Sequence, residues 1–213
     1  MDLDVERLLG AVERTVTSLE RDGKAARAVT LARSYATPVE NLWDAVTSAE
    51  RIPRWFLPVS GRLELGGRYQ LEGNAGGTIT HCERPSFLGL TWEFGSDLSW
   101  VEARMGNDGA GRSRLAVTHT TPVSDHWHKF GPGAVGVGWE MGLLGMELHL
   151  TRPDEPRLDG ATFHTTRDGK ALITGSSAAW GRAAEAAGAD PDMARSAAQR
   201  TAAFYTGDPV APD

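Results

Sequence analysis

Apolar and polar residues alternate with period two through most of the middle of this chain. In FLGLTWEF, Leu88, Leu90, Trp92 and Phe94 face one way while Thr91 and Glu93 face the other, as a half-buried strand requires. The same alternation runs through RAVTLARSY, where Val29 and Leu31 share a face, and through WVEARM and RLAVTHT. The last two put Val101, Ala103, Met105, Leu115, Val117 and His119 on one inner face, with Trp100, Glu102 and Arg104 outward. Turn chemistry separates the strands. Gly66-Gly67 interrupts RLELGGRYQLE, GNAGG precedes TITHCER, Arg84-Pro85 ends it, and NDGAG joins the last pair.

Helical spacing brackets this sheet. Leu8, Leu9, Val12, Val16 and Leu19 predict a leading amphipathic helix that ends near Asp22-Gly23, within residues 1–24. Thr37-Pro38 starts a short helix with Val39, Leu42, Trp43 and Val46 inward, and Ser48 starts another bearing Ile52 and Trp55. A long closing helix follows an irregular lead-in at Ser124. Val135, Trp139, Leu143, Met146 and Leu150 form its apolar stripe, and Gly138, Gly142 and Gly145 form a smooth one. An interior helix glycine costs about 1 kcal/mol relative to alanine. Three on one face therefore point to close packing or to room left for a ligand. Residues 25–151 make the main domain, 152–168 a Pro- and Asp-rich linker, and 169–207 a helical hairpin broken at Gly188-Ala189-Asp190. That hairpin is too small to fold alone, so it packs on the core or on a second subunit.

Composition narrows the function classes. The chain has 213 residues, 40% hydrophobic and 23% charged, with a surplus of 25 glycines and a net charge of −6. Opposite charges are interspersed, and with no basic stripe nucleic acid is excluded as a partner. No apolar run is long enough to span a membrane. The acidic start MDLDVERLL lacks the pattern of a signal peptide, so a cytoplasmic protein is expected. Cys82 is the single cysteine and is expected to be a small buried residue.

The patterns WDAVTSAERIPRWF, LELGGRYQLEGNAGGTITHCERP, LGLTWEF, and RLAVTHT followed by a helix containing Gly-Trp resemble the START-like (SRPBCC, helix-grip) superfamily. They are most similar to its branch related to the activator of a heat-shock chaperone ATPase, in its actinobacterial form. The resemblance covers roughly 125 residues and consists of packing and turn signatures. It implies an α+β helix-grip fold, a curved antiparallel sheet wrapped around a long C-terminal helix. Here an N-terminal helix and the C-terminal hairpin are added. It also implies that the space between sheet and helix holds a small molecule, that some relatives act as cofactor-independent cyclases, and that others bind a chaperone through their surface.

The residues leave three readings of function. The first is binding of a small hydrophobic or aromatic molecule between sheet and closing helix. Its wall would be Trp92, His119, Trp139, Leu143 and Met146, with Trp55 and Tyr69 nearer the mouth. Against it stands the reading of these rings as plain core. The second is a cofactor-independent cyclase or hydrolase with His119 as acid or base. It needs an inward carboxylate or tyrosine within reach, and Glu72, Glu93 and Glu102 read as solvated strand residues. The third is a chaperone-associated or regulatory interaction protein, for which the resemblance alone argues. His81, His119, His126 and His128 lack the spacing of a metal site, and there is no phosphate loop, dinucleotide fingerprint or nucleophile elbow. No metal or cofactor is therefore expected. Trp180, Phe204 and Tyr205 give the hairpin enough apolar bulk to make a homodimer through it a further expectation.

Overall fold

The computed structural model describes residues 3–210. In chain order the elements are α1 (Val5–Gly10), β1 (Glu13–Arg21), β2 (Lys24–Tyr35), α2 (Val39–Thr47), α3 (Ile52–Trp55), β3 (Val59–Gly61), β4 (Arg68–Leu71), β5 (Gly76–Glu83), β6 (Phe87–Phe94), β7 (Asp97–Asn107), β8 (Ser113–Pro122), α4 (Asp125–Phe130), α5 (Gly133–Thr151), α6 (Gly160–Phe163), α7 (Arg167–Ala186) and α8 (Pro191–Thr206). The strands form one antiparallel sheet in the order β1-β2-β8-β7-β6-β5-β4-β3. This is the helix-grip arrangement, an α+β fold with a long closing helix, α5, and C-terminal helices. The chain divides into two compact units. One holds residues 3–31, 122–141 and 158–210, the other residues 32–121 and 142–157.

The leading helix is shorter than its apolar spacing predicts. Only Val5–Gly10 is helical, and β1 takes Glu13–Arg21; residues 1 and 2 lie outside the described residues. The reason is local. Thr15, Val16 and Thr17 are β-branched and stiff at χ1, which favours a strand. Asp22 and Gly23 have φ of 51° and 73°, the left-handed pair that closes a two-residue hairpin. Asp22-Gly23 is therefore the turn from β1 to β2.

In the first unit α7 packs against α1, β1 and α8. Trp180 of α7 is fully buried, and its indole occupies the space that a Cβ on Gly136 would take. Three α8 side chains tie down α4 and the start of α5. Arg200 Nε donates to the Lys129 carbonyl, Thr201 Oγ1 to Phe130 and Tyr205 Oη to Ala134, each at 2.8 Å. Burial pushes the Tyr205 hydroxyl up to about 12. The hairpin is thus packed within its own unit, although Met193 and Phe204 stay exposed on α8.

In the second unit β6, β7 and β8 keep the expected register. Leu90 pairs with Val101 and Val101 with His119, so the inner face carries Leu88, Leu90, Trp92, Val101, Ala103, Met105, Leu115, Val117 and His119. Leu143, Leu144 and Met146 of α5 are buried in the same unit. The helix is held to β2 by polar bonds as well. The Tyr35 hydroxyl donates to the Leu143 carbonyl at 3.3 Å, and Arg33 pairs with Glu147 at 3.2 Å. Cys82 departs from expectation, because it is exposed. On β5, β4 pairs only with Gly76–Thr78, and a bulge follows between Ile79 and His81. Residues 80–83 are accordingly open to solvent.

Candidate binding site

His119 anchors the site that the sheet of the second unit builds. β8 turns it inward opposite Val101, and β6 brings Trp92 to it, with ring centroids 5.8 Å apart at a tilt of 58°. Ser99 completes the group. It pairs with Trp92 across β6 and β7, its Oγ lies 2.8 Å from His119 Nε2, and its hydroxyl donates to the Trp92 carbonyl at 3.1 Å. Because that one hydroxyl proton is given to a carbonyl, Ser99 must accept from His119, which fixes the Nε2–H tautomer. Burial holds His119 at about 4, well below its ordinary 6.5, so the ring is neutral near pH 7. Ser99 was legible in principle. It is the one hydroxyl on a β7 face otherwise occupied by Val101, Ala103 and Met105.

The other predicted residues fall in three places. Leu143 and Met146 are buried on α5 in the same unit. Tyr69 is also on the inner face, yet its hydroxyl reaches from β4 to donate to the Thr91 carbonyl at 2.8 Å. Burial raises that phenol, making it a committed structural donor. Trp55 is a packing residue. Its Nε1 donates to the Ala45 carbonyl at 2.9 Å, its ring stacks on Phe56 at 5.3 Å, and its backbone carbonyl meets the surface of Gly145. Trp139 is half-buried on the part of α5 that belongs to the first unit.

The smooth stripe on α5 has packing causes. Gly142 faces the Phe56 ring, with a Cβ there 3.3 Å from it. Gly145 faces the Trp55 carbonyl, and Gly138 the Tyr205 hydroxyl at 3.1 Å. The carboxylates raised as inward partners are engaged elsewhere. Glu93 pairs with Arg68 at 2.7 Å and Glu102 with Arg104 at 3.0 Å, while Glu72 is exposed. Two other carboxylates, Glu140 buried and Glu147 half-buried, are the paired ones on α5. Glu140 takes a two-bond grip from Arg14 at 2.6 Å, and Glu147 pairs with Arg33. Their signal was two carboxylates seven residues apart in an otherwise apolar, Gly-rich helix.

His81, His126 and His128 are exposed. Among the described residues no three of His, Cys, Asp and Glu stand close enough together to hold a metal ion, and no helix is long and apolar enough to cross a membrane.

Comparison with known proteins agrees with this architecture. The chain is similar to CalU16 from Micromonospora echinospora. Its crystal structure aligns at 30% identity over 82% of this chain and 99% of CalU16, with a TM-score of 0.65. The solution NMR structure of CalU16 aligns at 29% identity over 83% and 97%, with a TM-score of 0.69. PFC0360w, an HSP90 activator from Plasmodium falciparum, shares the fold at 23% identity over 58% of this chain and 94% of its own, with a TM-score of 0.50. Among curated proteins none matches. The family model described as Activator of Hsp90 ATPase homolog 1-like protein matches residues 36–150, more than half of the sequence, and the chain belongs to that family.

Proposed function

We propose that this protein binds a small hydrophobic or aromatic molecule against the concave sheet face of its second unit, and that it carries out no reaction of its own. The observation that carries this reading is the chain His119–Ser99–Trp92 carbonyl. It is a neutral imidazole locked in one tautomer beside a half-buried indole, in a wall otherwise apolar. Such a group orients a ligand. It is a poor proton carrier, since an imidazole held near 4 is unprotonated at neutral pH and weakly basic. Tyr69 and Glu93, the groups an acid–base mechanism would recruit, are bound to Thr91 and Arg68.

The test is fluorescence titration with 1-anilinonaphthalene-8-sulfonate on the wild type, Trp92→Ala, His119→Gln and Ser99→Ala, with circular dichroism as the check on folding. Trp92→Ala should weaken binding about tenfold or more, the loss of one buried aromatic contact. Trp92→Phe serves if the alanine variant does not fold. Wild-type affinity in Trp92→Phe, His119→Gln and Ser99→Ala together would sink the proposal.

Partner binding is a second reading. Phe94 and Leu98 flank the β6–β7 turn and are 58% and 45% exposed, and the family's name supplies the partner class. It requires the wild type to stimulate the ATPase of an Hsp90-type chaperone, and Phe94→Ser with Leu98→Ser to abolish the effect. Exposed Met193 and Phe204 favour a homodimer through α8. Light scattering on the wild type and Phe204→Asp decides that point.

A further inference from the structure

Arg51 and His149 meet in the second unit with a polarity that only one protonation state allows. Arg51, at the N-terminal end of α3, reaches the imidazole Nε2 with its Nε at 3.3 Å and its Nη2 at 3.2 Å. A guanidinium has no acceptor and does not lose its proton. Nε2 must therefore be the bare nitrogen, and His149 is the neutral Nδ1–H tautomer. Protonating it would aim an N–H at an N–H and set two positive charges together.

The contact joins the α2–α3 corner to α5. His149 is buried in the last turn of α5. Arg51 is also the hub of the α2–α3 corner. Its Nη1 donates to the Asn41 carbonyl, to Asn41 Oδ1 at 2.8 Å and to Asp44 Oδ2 at 2.9 Å. Below it, α3 rests on α5 through the Trp55 carbonyl against Gly145 and the Phe56 ring against Gly142. Glycine there allows close approach and gives no interlocking side chain to hold the corner in place.

We propose that Arg51 and His149 form a pH-operated clasp, closed near neutrality, which on acidification frees the α2–α3 corner from α5 and uncovers the aromatic surface of Trp55 and Phe56. The charged groups around it set the direction. Arg54 on α3 adds a second positive charge near enough to act on the ring, while Asp44 on α2 answers Arg51. On α5 Glu147 is committed to Arg33 of β2, and just past the end of the helix Arg152 pairs with Glu155. Arg157 donates to the Phe56 carbonyl and adds positive charge at the same corner. Burial, then Arg51, then Arg54 hold His149 below its ordinary 6.5. The clasp therefore stays shut through the neutral range and opens below it.

The test is NMR on the full chain between about pH 7.5 and about pH 5, a window that leaves His119 neutral. Three results are expected. The His149 imidazole nitrogens report the Nδ1–H tautomer at the upper limit. The amides of residues 51–56 lose about tenfold in hydrogen-exchange protection as His149 titrates, with the same midpoint. His149→Gln, whose side-chain oxygen accepts from Arg51 at any pH, keeps that protection across the window. An Nε2–H tautomer, titration of His149 with unchanged amides at 51–56, or an acid transition retained in His149→Gln would each overturn the proposal. If His149→Gln fails to fold, Arg51→Gln provides the second arm. It should raise the His149 midpoint toward 6.5, and an unmoved midpoint refutes the clasp.

Discussion

At the scale of single residues, the unusual feature is how much charge and polarity is buried, and how fully most of it is answered. Arg14 and Glu140 show the pattern, with side chains 10% and 3% exposed and the guanidinium gripping both carboxylate oxygens. A buried pair of this kind adds little net stability over an apolar pair, yet breaking it strands a charge. Arg14→Met should therefore destabilise the protein by about 3 kcal/mol or more, and Arg14→Met with Glu140→Leu should recover most of the loss. Urea unfolding of the two variants checks this; equal losses in both would mean that the pair contributes by packing alone. His119 was legible by parity on its strand, and so was its burial. Its tautomer was not, because that depends on Ser99, a residue twenty positions away that only pairing across the sheet brings near. The paired carboxylates of α5, Glu140 and Glu147, were not legible for a similar reason, since their arginines come from β1 and β2.

At the scale of elements, period and turn chemistry located the inner strands well and the leading helix badly. β6, β7 and β8 have alternating faces that no helix could bury, so their register followed from the residues. Residues 8–19 satisfy both periods, with apolar residues at helical spacing and β-branched residues at alternate places. Tertiary pairing with β2 decided in favour of a strand for Glu13–Arg21. The glycine stripe of α5 was visible, but its purpose was not. The structure separates its members by what each one meets. A Cβ at Gly145 would run into the Trp55 carbonyl, which is backbone and does not yield. At Gly142 it would meet the Phe56 ring, which can turn. Gly145→Ala should thus cost about 1–3 kcal/mol despite the better helix propensity of alanine, while Gly142→Ala should stay within about 1 kcal/mol of wild type. Thermal unfolding of both distinguishes them, and equal tolerance would mean that α3 does not rest on α5 as closely as these contacts indicate.

For the molecule as a whole, acid should be the condition that unfolds it, and the imidazoles are the reason. His119 and His149 both have folded values held below 6.5, chiefly by burial. In each case the native state favours the neutral ring, while the unfolded chain accepts the proton at the ordinary value. The stabilisation is therefore complete above 6.5 and is lost as pH falls from there toward the folded values. For His119 the interval runs down to about 4 and corresponds to roughly 3 kcal/mol between its ends. His149 contributes in the same sense, its share being lost as pH falls below the ordinary 6.5. Unfolding free energies by urea at steps from about pH 7.5 to about pH 4 should fall continuously across this interval. His119→Gln should be less stable at neutral pH yet flatter in its pH profile. A wild-type profile that is level down to about pH 4 would show that neither ring is held neutral by the fold, and the tautomer argument for the binding site would fall with it.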